Sequence, residues 1–177
     1  MLADDHADLQ KSISVLINEF HNPDGLKRSK ARHELVEIGR DATPALIDVV
    51  VNETGQARWE AIETLQQLQD PAAAQALVEA LMDDERGTRW AASNALIELD
   101  RAAIRPLLVS LIKHFDSIQF REVTHHILHV LKDRGHLLPK EIKVFEALEG
   151  IEPAAEVPWA AEAALEDLDY NRSGGGN

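Results

Sequence analysis

The sequence contains no cysteine, which removes disulfides, thiolate nucleophiles, iron–sulfur clusters and cysteine-ligated zinc at once. Basic residues are scarce beside acidic ones, 18 Lys and Arg against 31 Asp and Glu, for a net charge of −13. Binding to DNA or RNA depends on neutralising phosphates, so nucleic acid is not an expected partner. The one basic cluster is Lys27, Arg28, Lys30 and Arg32. No apolar run reaches the roughly 18–20 residues of a membrane span, and the opening MLADDHADLQ lacks the basic-then-apolar order of a secretory signal. A cytoplasmic location without a membrane partner is the resulting expectation. The only glycine-rich run is the terminal GGG, which precedes no helix, and GxSxG, P-loop and GxGxxG patterns are all missing. The chain is therefore expected to hold no cofactor, to have no catalytic residues and not to be an enzyme.

What the sequence does contain is a pattern met four times. The segments Arg28–Ile38, Arg58–Leu68, Arg89–Leu99 and Arg121–Leu131 align without a gap, and their starts are 30, 31 and 32 residues apart. Each opens with Arg. Each places a small residue three positions on (Ala31, Ala61, Ala92, Thr124), Leu at the seventh (Leu35, Leu65, Leu96, Leu128) and Ile or Leu at the tenth (Ile38, Leu68, Leu99, Leu131). The spacing is that of one helix face, and self-similarity at this period is the signature of stacked helical repeats. A second apolar stripe follows each segment: Leu46, Ile47, Val50 and Val51; Ala76, Leu77, Ala80 and Leu81; Ile104, Leu107, Leu108, Leu111 and Ile112; Leu138, Ile142, Phe145 and Leu148. Each repeat thus reads as a helix pair. Pro44, Pro71, Pro106 and Pro139 lie in or near second-helix starts, where a missing amide donor costs little. Pro106 fits least well, and the helix there is expected to start late or to bend. Neither helix of a pair can bury its stripe alone, so neighbouring pairs must share an apolar layer.

Three segments follow from this. Residues 1–25 form an N-terminal capping helix, with an amphipathic stretch over 7–20, and the turn HNPDG. Residues 26–150 hold the four repeats, and 151–177 are an acidic C-terminal tail able to form a short docking helix around Trp159, Ala163, Leu165, Leu168 and Tyr170. The Arg-led first helix, the Asp near each inter-helix turn (Asp41, Asp70, Asp100, Asp133) and the Pro or Ala before an apolar second helix resemble HEAT repeats, most nearly the short, Ala-rich variety first associated with phycobilin lyases. The resemblance covers about residues 26–149. It implies an all-α fold, a right-handed α-α superhelix of about four helix pairs with an N-terminal cap. It also implies a concave face built from the second helices, around 44–52, 74–83, 104–114 and 139–148, that often binds partners. HEAT repeats serve unrelated roles, so the fold says little about activity.

The function expected on these grounds is a protein-interaction or scaffold module, with a lyase-like or maturation accessory protein related to bilin lyases as the alternative. Trp59 and Trp90 share one register position and serve either inter-repeat packing or a partner hot spot. On the second helices and their ends, Asp48, Asn52, Glu79, Asp83, Asp84, Lys113 and His114 are candidate partner contacts. Their acidic character suits a protein with a basic patch. The Arg series at 28, 58, 89 and 121 reads first as structural, pairing with acids near the turns. His125 and His129 share a helix face at a spacing that can hold one transition ion, but two ligands are too few for structural zinc. Ordinary histidines are the reading there, and no metal is expected.

Overall fold

The computed structural model describes residues 2–173. Every regular element among them is helical, and the helix pairs stack in the manner of a HEAT-like solenoid. The chain divides into two compact units, Met1–Glu98 and Leu99–Asn177. The first holds α1 (Leu2–Asn18), α2 (Gly25–Ile38), α3 (Thr43–Asn52), α4 (Gly55–Leu68), α5 (Ala74–Glu79) and α6 (Arg86–Leu99), whose last residue lies past the boundary. The second holds α7 (Arg101–Lys113), α8 (Ile118–Asp133), α9 (Pro139–Leu148) and α10 (Pro153–Arg172). In the first unit α4 packs against both α2 and α3, α3 also meets α5, and α1 lies on α2 and α3. In the second, α10 packs against α9 and α7, and α8 against both of its neighbours in sequence.

The repeat register explains this packing. The four leucines Leu35, Leu65, Leu96 and Leu128 are fully buried, as are Ala31, Ala61, Ala92 and Thr124 one turn earlier. A small residue lets the next helix approach and the leucine then fills the layer, each such side chain being worth about 1.5–3 kcal/mol over an exposed one. Helix starts are chosen by short polar side chains. Asp24 Oδ1 accepts from Leu26 N at 2.9 Å to open α2, and Ser117 Oγ accepts from Phe120 N at 3.2 Å to open α8. Gly39, with φ at 83°, ends α2 in a conformation that a side chain would resist.

After α4 the positive-φ cap falls to a residue with a side chain: Gln69 sits in the left-handed helical region at φ 49°, ψ 38°. Gln69→Gly should stabilise the protein by about 0.5–1 kcal/mol, because glycine removes the Cβ conflict of that conformation. Thermal melts read this directly, and an unchanged or lowered midpoint would count against the strain.

Two elements differ from the sequence expectation. The helix containing Pro106 does not start late: α7 runs without interruption from Arg101 to Lys113 with the proline inside it. Burial of Ala103, Ile104, Leu107 and Leu108 on both sides of the ring holds that helix together despite the lost amide bond. At the C-terminus, residues 153–172 form one 20-residue helix whose Val157, Ala161 and Ala164 are buried. SGGGN falls almost wholly outside the described residues.

Candidate functional site

All four repeat arginines occupy the fourth position of their helix, and from there three of them, Arg28, Arg89 and Arg121, reach back over the preceding loop. Arg28 Nη1 donates to the carbonyls of Asn22 at 2.8 Å and Pro23 at 3.2 Å; Arg89 Nη1 donates to those of Asp83 at 2.8 Å and Asp84 at 2.9 Å. Arg121 makes the same six-residue return to the Phe115 carbonyl. Arg58 instead pairs with the Asp83 carboxylate. Loop carbonyls lack helical partners, and the forked guanidinium supplies them. The series is thus a set of loop clamps, satisfied on carbonyls as much as on the acids the sequence suggests.

The centre of the first unit is a residue the sequence reading passed over. Glu60 on α4 is only 3% exposed. Its Oε1 accepts from Arg28 Nε at 2.7 Å and from Gln56 Nε2 at 2.8 Å. Its Oε2 lies 3.0 Å from Arg32 Nη1, an ion pair too oblique to count as a hydrogen bond. Arg28 and Arg32, half of the one basic cluster, are therefore turned inward onto a buried acid and present no basic face. The available signal was a second arginine one helical turn after Arg28, where the other repeats hold Ile62, Ser93 and His125.

Trp59 borders this network. The Arg32 guanidinium carbon lies 5.3 Å from the centre of its ring, leaving Trp59 half-buried beside a cleft of about 420 Å³ that Arg28, Gly55, Gln56 and Glu85 also line. Trp90 holds the same register position but is 59% exposed. The residue matching Arg32 one repeat later is the buried Ile62, so the contact that half-covers Trp59 has no counterpart at that register position.

Glu63, on the same helix, has its carboxyl pushed above the ordinary value by burial, an effect that Arg32 opposes and the charge of Glu60 reinforces. The folded state then holds this proton more tightly than the unfolded chain does. Ionising Glu63 costs stability above its folded pKa, and the cost fades as pH falls through that value and is gone below the ordinary carboxylate one. Glu63→Gln should accordingly melt higher than wild type at neutral pH, with the two converging in acid. A gap that widens on acidification would refute the assignment.

The remaining candidates separate by environment. Asp48, Asn52, Glu79 and Asp84 in the first unit are exposed. Asp83 is not comparable: its carboxylate is nearly enclosed, pairing with Arg58 through Oδ2 while Oδ1 accepts from Glu85 N at 2.7 Å. In the second unit Lys113 and His114 are exposed at the end of α7, with the His114 ring 5.5 Å from Phe120. His125 stacks on Phe145 at 4.9 Å and His129 meets the same ring edge-on at 5.9 Å, so their shared face is occupied by an aromatic side chain. Among the described residues no three His, Asp or Glu side chains converge as a metal site. A second buried acid, Glu141, accepts from Arg101 and, at 2.7 Å, from Leu138 N, tying the start of α9 to α7.

Residues 13–97 match the family model for HEAT repeats. Among curated proteins no sequence matches. Among solved structures, the chain is similar to a chain of the complex of CpcE and CpcF of phycocyanin lyase from Nostoc sp. PCC7120, with a TM-score of 0.56 and 23% identity over 85% of this chain and 98% of that one. The expectation that the chain is not an enzyme does not survive this likeness, because its helix-pair architecture is one that a lyase complex uses. Missing nucleophile and phosphate motifs exclude only chemistries that announce themselves in short sequence patterns; a site assembled from separate repeats leaves no such pattern. No helix among the described residues is long and apolar enough to cross a membrane.

Proposed function

We propose that the chain, whose residues 13–97 match the family model for HEAT repeats, is of the short phycobilin-lyase type and is a lyase-like or maturation accessory protein that works in complex with a protein partner. The observation that carries this reading is the extent of the likeness in fold, nearly the full length of a chain from a two-protein lyase complex. Binding of a protein partner is the part this reading shares with a scaffold role. In this proposal the partner meets Trp90 and the open polar residues Asp48, Asn52, Glu79 and Asp84 on the first unit, and Lys113 and His114 on the second. Asp83 contributes indirectly, by fixing the loop that carries Asp84. Trp59 and its cleft are the place for an aromatic or conjugated group, since one face of the indole is already held by Arg32 and the cleft leaves the rest accessible.

The test is purification of the full chain from its native cells, read by mass spectrometry and visible absorption, followed by incubation with bilin and any stoichiometric partner. A stoichiometric protein together with bound pigment, or pigment transferred to that protein, is the expected result. A stoichiometric partner with neither pigment nor turnover would leave the scaffold role and remove the lyase-like one.

A further inference from the structure

Helix α10 has two faces of opposite character. Val157, Ala161 and Ala164 are buried, on the side that packs against α7 and α9. Trp159, Glu162, Glu166 and Tyr170 recur at three, seven and eleven residues from the first and so share the other side. Trp159 is 76% exposed and Tyr170 62%, two of the largest apolar surfaces that the second unit leaves open. Together the rings present roughly 300 Å². Exposed aromatics rimmed by charge mark interaction surfaces, since folding alone gains nothing from leaving them in water. Asp169 on this side is held by Arg105 at 2.6 Å, whereas Glu162 and Glu166 take part in no ion pair among the described residues.

We propose that the outward face of α10 is a docking surface for a basic amphipathic helix of another protein, with Trp159 and Tyr170 as apolar anchors and Glu162 and Glu166 as its charge partners. Complementarity selects this occupant. The stripe spans about 16 Å, the length of three helical turns. It carries uncompensated negative charge between its rings, so a facing helix needs apolar side chains flanked by Lys or Arg. A second copy of this chain, at net charge −13, would bring acid against acid. The inference is independent of the lyase-like reading, because it rests on α10 alone.

The test is calorimetric titration of the full chain with a short amphipathic Leu/Lys helical peptide, beside thermal melts and sedimentation velocity. Trp159→Ala, and separately the pair Glu162→Lys and Glu166→Lys, should each weaken binding about ten-fold or more while melting as wild type does. Added salt should weaken wild-type binding as well. No binding by wild type, or an unchanged affinity in Trp159→Ala, overturns the proposal. So does a wild-type dimer that Trp159→Ala dissolves, which would give the face to a second copy.

Discussion

Glu60→Ala is expected to lower the melting temperature of the first unit by about 10 °C or more. The carboxylate is 3% exposed and stands between two arginine side chains that are themselves largely enclosed. Its removal leaves Arg28 and Arg32 facing each other with Glu63, through Arg32, as the remaining nearby acid, and breaking a buried pair in this way costs about 3–5 kcal/mol. The lower end applies, because both guanidiniums keep some contact with water and Arg28 retains its bonds to the Asn22 and Pro23 carbonyls. Gln56 also loses its acceptor. Thermal denaturation measures the loss, and a double-mutant cycle with Arg32→Met separates charge from packing. If charge is the cause, Arg32→Met recovers part of the stability in the Glu60→Ala background although it costs stability on its own. Additive losses would instead make Glu60 a packing residue only.

Leu65→Asp should abolish folding of the first unit, whereas Leu26→Asp should shift its melting by no more than a degree or two. Leu65 is fully buried and lies at the seventh position of the repeat, in the layer that α2, α3 and α4 share. Truncating such a leucine alone costs about 2–5 kcal/mol, and a carboxylate in its place adds a desolvation penalty of several kcal/mol more. The sum rivals the whole stability of an ordinary domain, about 5–15 kcal/mol. Leu26, at the start of α2, is 82% exposed and has little burial to lose. Circular dichroism at the helical minimum would distinguish the two variants, and a folded Leu65→Asp protein would show that the repeat layer does not carry the fold.

The two leucines also mark what could be read in advance. Leu65 belongs to a pattern repeated four times, and the pattern itself places it inside. Leu26 belongs to none, and its exposure is decided by what α2 packs against. Pro106 illustrates the opposite limit. A proline read locally argues for a helix boundary, yet burial of its neighbours outweighed one missing hydrogen bond. The candidate site was legible only in outline: Trp59 and Trp90 are identical by register, and a guanidinium from the preceding repeat makes one a half-buried wall of a cleft while the other is 59% exposed. Glu60 was signalled only by the extra arginine at position 32 and Glu141 not at all, because an acid on an amphipathic helix looks the same whether water or an arginine from another helix receives it.

By itself, then, the sequence determined the helix pairs, their register, the buried alanine and leucine positions and the acidic balance, since each depends on interactions within a turn or two of helix or on a period visible along the chain. The pairing of Arg28 and Arg32 with Glu60, the enclosure of Asp83, the contrast between the two tryptophans and the aromatic outer face of α10 were decided by tertiary structure. Each depends on which side chain of a different helix arrives within a few ångströms, and neither period nor composition encodes that distance.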